Sequence, residues 1–446
     1  MLSNPVFLSI LLMSILCLLR CNVMLAILIS AICAVLTSHI PLMDAIGYFI
    51  NGNPQTGSVG MGGNLETALS YILLGVIASA VARTNLTAIL VRSVAGFISD
   101  KKFIFIAMIA FISCLSQNLI PVHIAFIPIL IPPLVKIMNS LKLDRRAIAC
   151  ALTFGLQTPY MAFPVGFGLI FMGIIQKEMS KNGMDVGISD IAGVMWMSAI
   201  PMVIGLVLAM LYYRKPRSYT QTKESIEAHF EEFKMQKREW GVLAGIIVCF
   251  IAQLVLSMVI QIDAGSMPFA ALAGILTMLL LGGIPWGELD SIFDQGVHML
   301  GYIAFLMLVA GGFGTIIKET GGVGELVSAV ASLSGGKIGG AMLMIGIGLL
   351  VTMGIGSSFG TIPIIATIYC PLAAELGFSV AATIFIIGVA AGLGDAGSPA
   401  SDSTLAPTAG LNIDGEHNHI WDTCVPTFIF FNIPLIIFGV IFAIIL

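Results

Sequence analysis

GLGDAGSPASDSTLAP, residues 392–407, is the stretch on which the fold of this chain turns. It sets two carboxylates, Asp395 and Asp402, among glycine, serine and proline in a region that is otherwise apolar. An aspartate at membrane depth costs on the order of 2.5–3.5 kcal/mol on insertion scales unless a partner offsets it. The two are therefore expected to bind a cation, carry a proton or meet a substrate ammonium. A tertiary ion pair from Asp402 to Lys318 or Arg83 is the purely structural alternative. Upstream, MGIGSSFGTIPII (353–365) interrupts another charge-free run with Ser357, Ser358, Gly360, Thr361 and Pro363. The first half of the chain holds two comparable interruptions, ISCLSQNLIPVH (112–123) and GLQTPYMAFP (155–164).

The runs around these breaks are long. Windows 21–43, 103–135, 147–176, 338–374 and 423–446 contain no charged residue, and a helix needs roughly 20 apolar residues to cross hydrocarbon. Over 446 residues, 58% are apolar and 10% charged, against about 25% charged in soluble domains. Mean hydropathy is +1.03. These values exclude a water-soluble enzyme and predict an all-α polytopic membrane protein of about ten transmembrane helices plus two hairpins. A net charge of −4 without a basic-aromatic patch speaks against nucleic acid. The eight cysteines are scattered without a CxxC pair and read as packing residues. The N-terminal segment lacks a basic n-region and a cleavage site and reads as the first membrane helix.

One segment departs from this pattern. Residues 214–239 carry 12 of the 44 charges and read as a solvated linker between two halves, 1–213 and 240–446. The halves resemble each other in order: HIPLMDAIGYFING (39–52) with GIPWGELDSIFDQG (283–296), VARTNLTAILVRSVAGF (81–97) with IKETGGVGELVSAVASL (317–333), and SAIPMVIG (198–205) with FNIPLIIFG (431–439). Of 20 Lys and Arg, only Lys318 and Lys337 lie beyond Arg238. Under the positive-inside rule this predicts two repeats of opposite orientation, a cytoplasmic linker and both termini external. Each repeat is expected to hold a re-entrant hairpin (about 103–138 and 338–376) and a broken helix (about 147–176 and 379–411).

Irregular backbone within a bilayer persists only where protein or a water-filled cavity satisfies its freed groups, so four breaks point to a site. Small residues that merely allow close packing are the alternative for any single break. Hydroxyl and amide side chains at hairpin tips supply neutral oxygens for Na+, and helix N-termini favour an anionic substrate group. The candidate substrate residues are Gln117, Asn118, His123, Thr158, Ser358, Thr361, Asp395, Ser398 and Asp402. Candidate Na+ ligands are Ser116, Asn118, Ser357, Thr361, Asp402 and Thr404. His417 and His419, with Glu416 and Asp422, are expected to form a polar cap or gate at the entry to the last helix. GLGD (392–395) also matches the GxGD signature of intramembrane aspartyl proteases, but the chain has no Tyr-Asp dipeptide to supply the second carboxylate.

GSPASDST (397–404), EHNHIWDTCVPTF (416–428) and NIPLIIFG (432–439) resemble the NhaC-like sodium/proton antiporter family, in particular its branch of predicted bacterial histidine transporters. SQNLIPVHIAFIPILIPPL (116–134) is the first-half counterpart. The resemblance implies the fold of the ion transporter superfamily: inverted five-helix repeats forming a mobile transport domain beside a dimeric scaffold. It also implies Na+ and substrate-carboxylate roles for Ser116, Gln117 and Asn118 and for Ser357, Ser358 and Thr361, although the Ser-Asn-Thr signature is not matched literally. The expectation is an elevator-type secondary transporter of the bacterial inner membrane, a homodimer moving a small amino acid such as histidine. Na+ or H+ would be the coupling ion and no resident cofactor is expected. Na+/H+ exchange without an organic solute is the alternative.

Overall fold

In a computed structural model, the residues described are 4–19, 21–38, 40–86, 102–118, 137–219, 235–256, 266–399 and 401–446, with a few single positions between. The described residues are helical in the main, with no strand among them. In chain order the helices are α1 (Pro5–Leu18), α2 (Val23–Ser38), α3 (Leu42–Asn51), α4 (Leu65–Ala82), α5 (Lys102–Asn118), α6 (Arg145–Ala162) and α7 (Phe167–Lys181). After them come α8 (Ile188–Tyr212), α9 (Lys237–Leu254), α10 (Ser266–Leu280), α11 (Leu289–Glu319), α12 (Val323–Ser334) and α13 (Lys337–Ile355). The last four are α14 (Ser358–Glu375), α15 (Val380–Gly392), α16 (Asp402–Leu411) and α17 (His419–Ile445).

Five of these are long and apolar enough to cross a membrane, or six if the bent pair α6–α7 counts as one span. Six shorter apolar helices add to them. Large apolar side chains such as Leu36, Phe269, Leu280 and Ile445 point outward, far more apolar exterior than a water-soluble surface carries.

The helices assort by packing. α4, α2 and α3 lie along α11, and α10 packs on α4 and α9. α5, α8 and α16 pack on α6, while α13, α14 and α17 surround α15. α14 touches α7, α12 and α11 and so links the two sets. The α4–α11 crossing is close because Gly75 and Gly296 face each other: a Cβ on Gly75 would lie 2.3 Å from the Gly296 carbonyl oxygen. Such glycine contacts let backbones approach where no hydrophobic drive separates helix from lipid.

Local chemistry explains where helices stop. Ser357 caps α14 by accepting from the Gly360 N–H, Ser379 caps α15 through the Ala382 N–H, and Ser401 caps α16 through the Ser403 N–H. α13 ends on Gly356 at φ +71°, a left-handed position suited to glycine, so the chain reverses sharply from α13 into α14. α6 and α7 meet at 47° across residues 163–166, where Pro164 follows Phe163 and Gly166 takes φ +56°.

One sequence expectation needs correction. The sequence places Ser116, Gln117 and Asn118 at a break, yet α5 remains helical through Asn118. The side chains of 115–118, and His123 entirely, lie outside the described residues, as do 220–234 of the charged linker.

Candidate functional site

The site builds up from the nine residues between α15 and α16, 393–401. Side chains from α6, α16 and α17 take several of the backbone groups freed here. Gln157 Nε2 donates to the Gly392 carbonyl at 2.7 Å, and Asn432 Nδ2 donates to that of Ala396 at 2.8 Å. The Gly397 N–H donates to Thr427 Oγ1 at 3.1 Å, and the Ser398 hydroxyl donates to the Met353 carbonyl at 3.2 Å. The Thr404 hydroxyl turns back onto the carbonyls of Ser398 and Ser401. This is how irregular backbone survives in an apolar surrounding.

One stripe of α6 does much of this work. Thr153 donates to the Ser403 carbonyl at 2.8 Å, Gln157 caps α15, and the Tyr160 hydroxyl donates to Asp395. The spacing 153, 157, 160 is that of one helix face, so α6 is fixed along the whole break. Tyr160 Oη also lies 2.8 Å from Ser358 Oγ. Ser358 stands in the first turn of α14 and is joined to the Asp395 carboxylate through the Tyr160 hydroxyl. The N-terminal end of a helix favours negative charge there. Asp402 opens α16, seven residues beyond Asp395. An aromatic wall closes one side: the Phe359 ring lies 5.3 Å from that of Tyr160, 5.8 Å from Phe171 and 6.0 Å from Tyr71.

Of the sequence candidates, Ser357, Ser358, Thr361, Asp395, Ser398, Asp402 and Thr404 gather at this junction, and Thr158 sits on the adjoining turn of α6. Asp395, Ser398, Thr404, Ser358 and Thr361 are buried. Thr361 donates to the Ser357 carbonyl at 2.9 Å. Gln157 Oε1, Thr158 Oγ1 and Asn432 Oδ1 are buried without a hydrogen-bond partner among the described residues, the kind of acceptor that an ion or solute satisfies. No three acidic, histidine or cysteine side chains converge among the described residues, so an ion held here would meet mostly neutral oxygens. Arg83 is engaged with Gln295, Ser291 and Glu288, and Lys318 donates to the Lys181 carbonyl.

Tyr160, Gln157, Thr153, Thr352 and Asn432 escaped the sequence reading as individuals. Tyr160 and Gln157 stand inside the quoted break 155–164, and Thr352 joins the Gly348 and Ala390 carbonyls of α13 and α15. His417 and His419 stand beside this break. His419 Nε2 lies 3.0 Å from the Pro399 carbonyl, which can only accept, so Nε2 carries the proton and Nδ1 accepts near Thr408. His417 Nε2 lies 2.7 Å from Thr423 Oγ1. At the same end Arg145, fully buried, pairs with Asp414 and donates to the Leu411 carbonyl at 3.0 Å, and Arg217 pairs with Asp422 at 2.8 Å. Burial pushes His417, in the turn 412–418, down to about 4, and Arg145 holds Asp414 below its usual range.

Two profiles of known families match the chain: the Na+/H+ antiporter family over residues 151–440 and a Na+-H+ antiporter family over 4–98. A membrane protein of Vibrio parahaemolyticus is 46% identical over 99% of this chain and 100% of its own length. YuiF of Bacillus subtilis, described as a candidate amino acid transporter, is 48% identical over 87% of this chain and 89% of its own. Among solved structures, the YdaH transporter of Alcanivorax borkumensis matches with TM-score 0.58 at 15% identity, over 90% of this chain and 87% of that one. MtrF of Neisseria gonorrhoeae, described with a class of antimetabolite efflux pumps, matches with TM-score 0.60 at 16% identity, over 90% and 84%. These two share the fold.

Proposed function

The chain belongs to the Na+/H+ antiporter family, and from that premise we propose that it carries a small amino acid, histidine first among the candidates, across the bacterial inner membrane coupled to Na+ or H+. It is a multi-pass membrane protein and a secondary transporter rather than an enzyme. The observation that carries the finer reading is the meeting of Asp395, Tyr160 and Ser358 at the first turn of α14. A carboxylate there suits a substrate ammonium or a cation, and two helix N-termini suit a substrate carboxylate. Ser357, Thr361, Asp402 and Thr404 would share the Na+ site with Ser116 and Asn118. Ser358, Thr158, Ser398 and Asp395, with Gln117 and His123, would bind the solute. The description of YuiF as a candidate amino acid transporter supports the choice of solute.

In this reading residues 1–213 and 240–446 are inverted repeats, linker 214–239 is cytoplasmic, both termini face outward, and α5–α8 with α13–α17 move past a dimeric scaffold as an elevator. Exchange of Na+ for H+ alone is the second reading, favoured by the hydroxyl-lined carboxylate at Asp395. Proteoliposomes separate the two. Uptake of labelled L-histidine that rises with an imposed Na+ or pH gradient supports the first; no uptake together with Na+-driven pH change supports the second.

A further inference from the structure

Away from the break, a second concentration of polar groups lines the crevice between α4 and α7. A cavity of about 250 Å³ there is lined by Glu66 and Ser70 from α4, Lys177 from α7, Gln253 from α9 and Ser266 from α10. Its walls are anchored differently: α4 packs on α11 and α10, while α7 packs on α14 and α6. Glu66 and Lys177 face each other across it at 3.8 Å, each about one-third exposed. That is an ion pair too long for a hydrogen bond. Gln253, itself buried, donates through Nε2 to Ser266 Oγ at 3.3 Å. Its Oε1 is buried with no partner among the described residues. Ile170 and Met267 belong to the apolar part of the lining. At roughly 30 Å³ per water, the space equals that of about eight waters or a solute of similar size.

We propose that this crevice is a binding site for a zwitterion, distinct from the break: the ammonium meets Glu66 and the anionic group meets Lys177. The chemistry is shared by a free amino acid and a phosphoethanolamine headgroup. Because the charges sit on differently anchored helices, an occupant replaces the long Glu66–Lys177 contact with two short ones and ties α4 to α7 at one separation. The site therefore governs relative movement of the two helix sets rather than carrying cargo. It stands whatever the break transports.

Gly173 also lines the cavity, and a Cβ there meets nothing within 4 Å. Gly173→Cys therefore reports on occupancy. In the purified full chain, in a detergent without zwitterionic headgroups, its reaction with N-ethylmaleimide is followed by mass spectrometry of the peptide containing residue 173, so the native cysteines stay in place. The probes are L-histidine and glycerophosphoethanolamine. At least one slows labelling tenfold or more, and that protection vanishes when Glu66→Gln or Lys177→Met is added. Protection by histidine alone assigns the site to free amino acids, and protection by glycerophosphoethanolamine alone assigns it to lipid headgroups. Labelling unaffected by either probe, or protection that persists in both charge variants, overturns the proposal. If Glu66→Gln does not fold, Lys177→Met gives the same reading.

Discussion

Tyr160 is the side chain through which three parts of the chain meet, since its hydroxyl joins Asp395 in the break to Ser358 at the start of α14. Its neighbours Phe171 and Phe359 hold the ring in place. Replacing it with phenylalanine keeps the ring and removes only the hydroxyl. A buried polar group stripped of its partner costs about 1–3 kcal/mol, so Tyr160→Phe should fold with a modestly lower Tm. Solute uptake into proteoliposomes should fall at least tenfold, because Asp395 loses the donor that orients it. Uptake at the wild-type rate would remove Tyr160 from the site. Asp395 and Ser358 could be found in sequence because charge and small residues interrupt an apolar run. Tyr160 and Gln157 could not be told from core residues, since an aromatic or amide in a membrane helix reveals its role only when the face it lies on is known.

At the scale of elements, the break and the α13–α14 reversal are built to touch. Gly394 packs against Thr352 so closely that a Cβ would lie 2.2 Å from its Cγ2 and 2.4 Å from its carbonyl oxygen. Gly394→Ala should therefore force the break away from α13, lowering Tm and abolishing uptake. Gly346→Ala on the same helix meets nothing within 4 Å and should raise stability slightly, by about 0.5–1 kcal/mol. Equal behaviour of the two variants in a thermal melt would contradict this packing. Ser357 stood inside a break read from sequence, but that Ser357 and Ser401 are the N-caps of α14 and α16 shows only in the fold. The end of α5 was not legible either: Ser116, Gln117 and Asn118 look like a break, but isolated polar residues do not end a helix without a cap or proline, and Pro121 comes three residues later.

For the whole molecule, the alternation of charge-free runs and the charged stretch 214–239 made the membrane class readable from composition alone, whereas which helices pack together depends on long-range contacts that no local pattern encodes. The contacts that close one end, Arg145–Asp414 and His417–Thr423, give the assembly a pH dependence. His417 stays neutral in the fold down to about 4 against an ordinary 6.5, so the unfolded chain binds the extra proton first. Its contribution is complete above about pH 6.5 and is lost progressively as pH falls toward 4, with Asp414 adding to the loss below its own ordinary 3.8. Tm in detergent should drop over that window, and His417→Gln should flatten the drop; an unchanged profile would contradict the assignment. The account as a whole rests on the carboxylates of the break. Its most direct test is uptake of labelled L-histidine by proteoliposomes containing the wild type, Asp395→Asn or Asp402→Asn. Accumulation by the wild type, with less than a tenth of that rate in either variant at unchanged thermal stability, is the expected result. Variants that accumulate solute as fast as the wild type would contradict it.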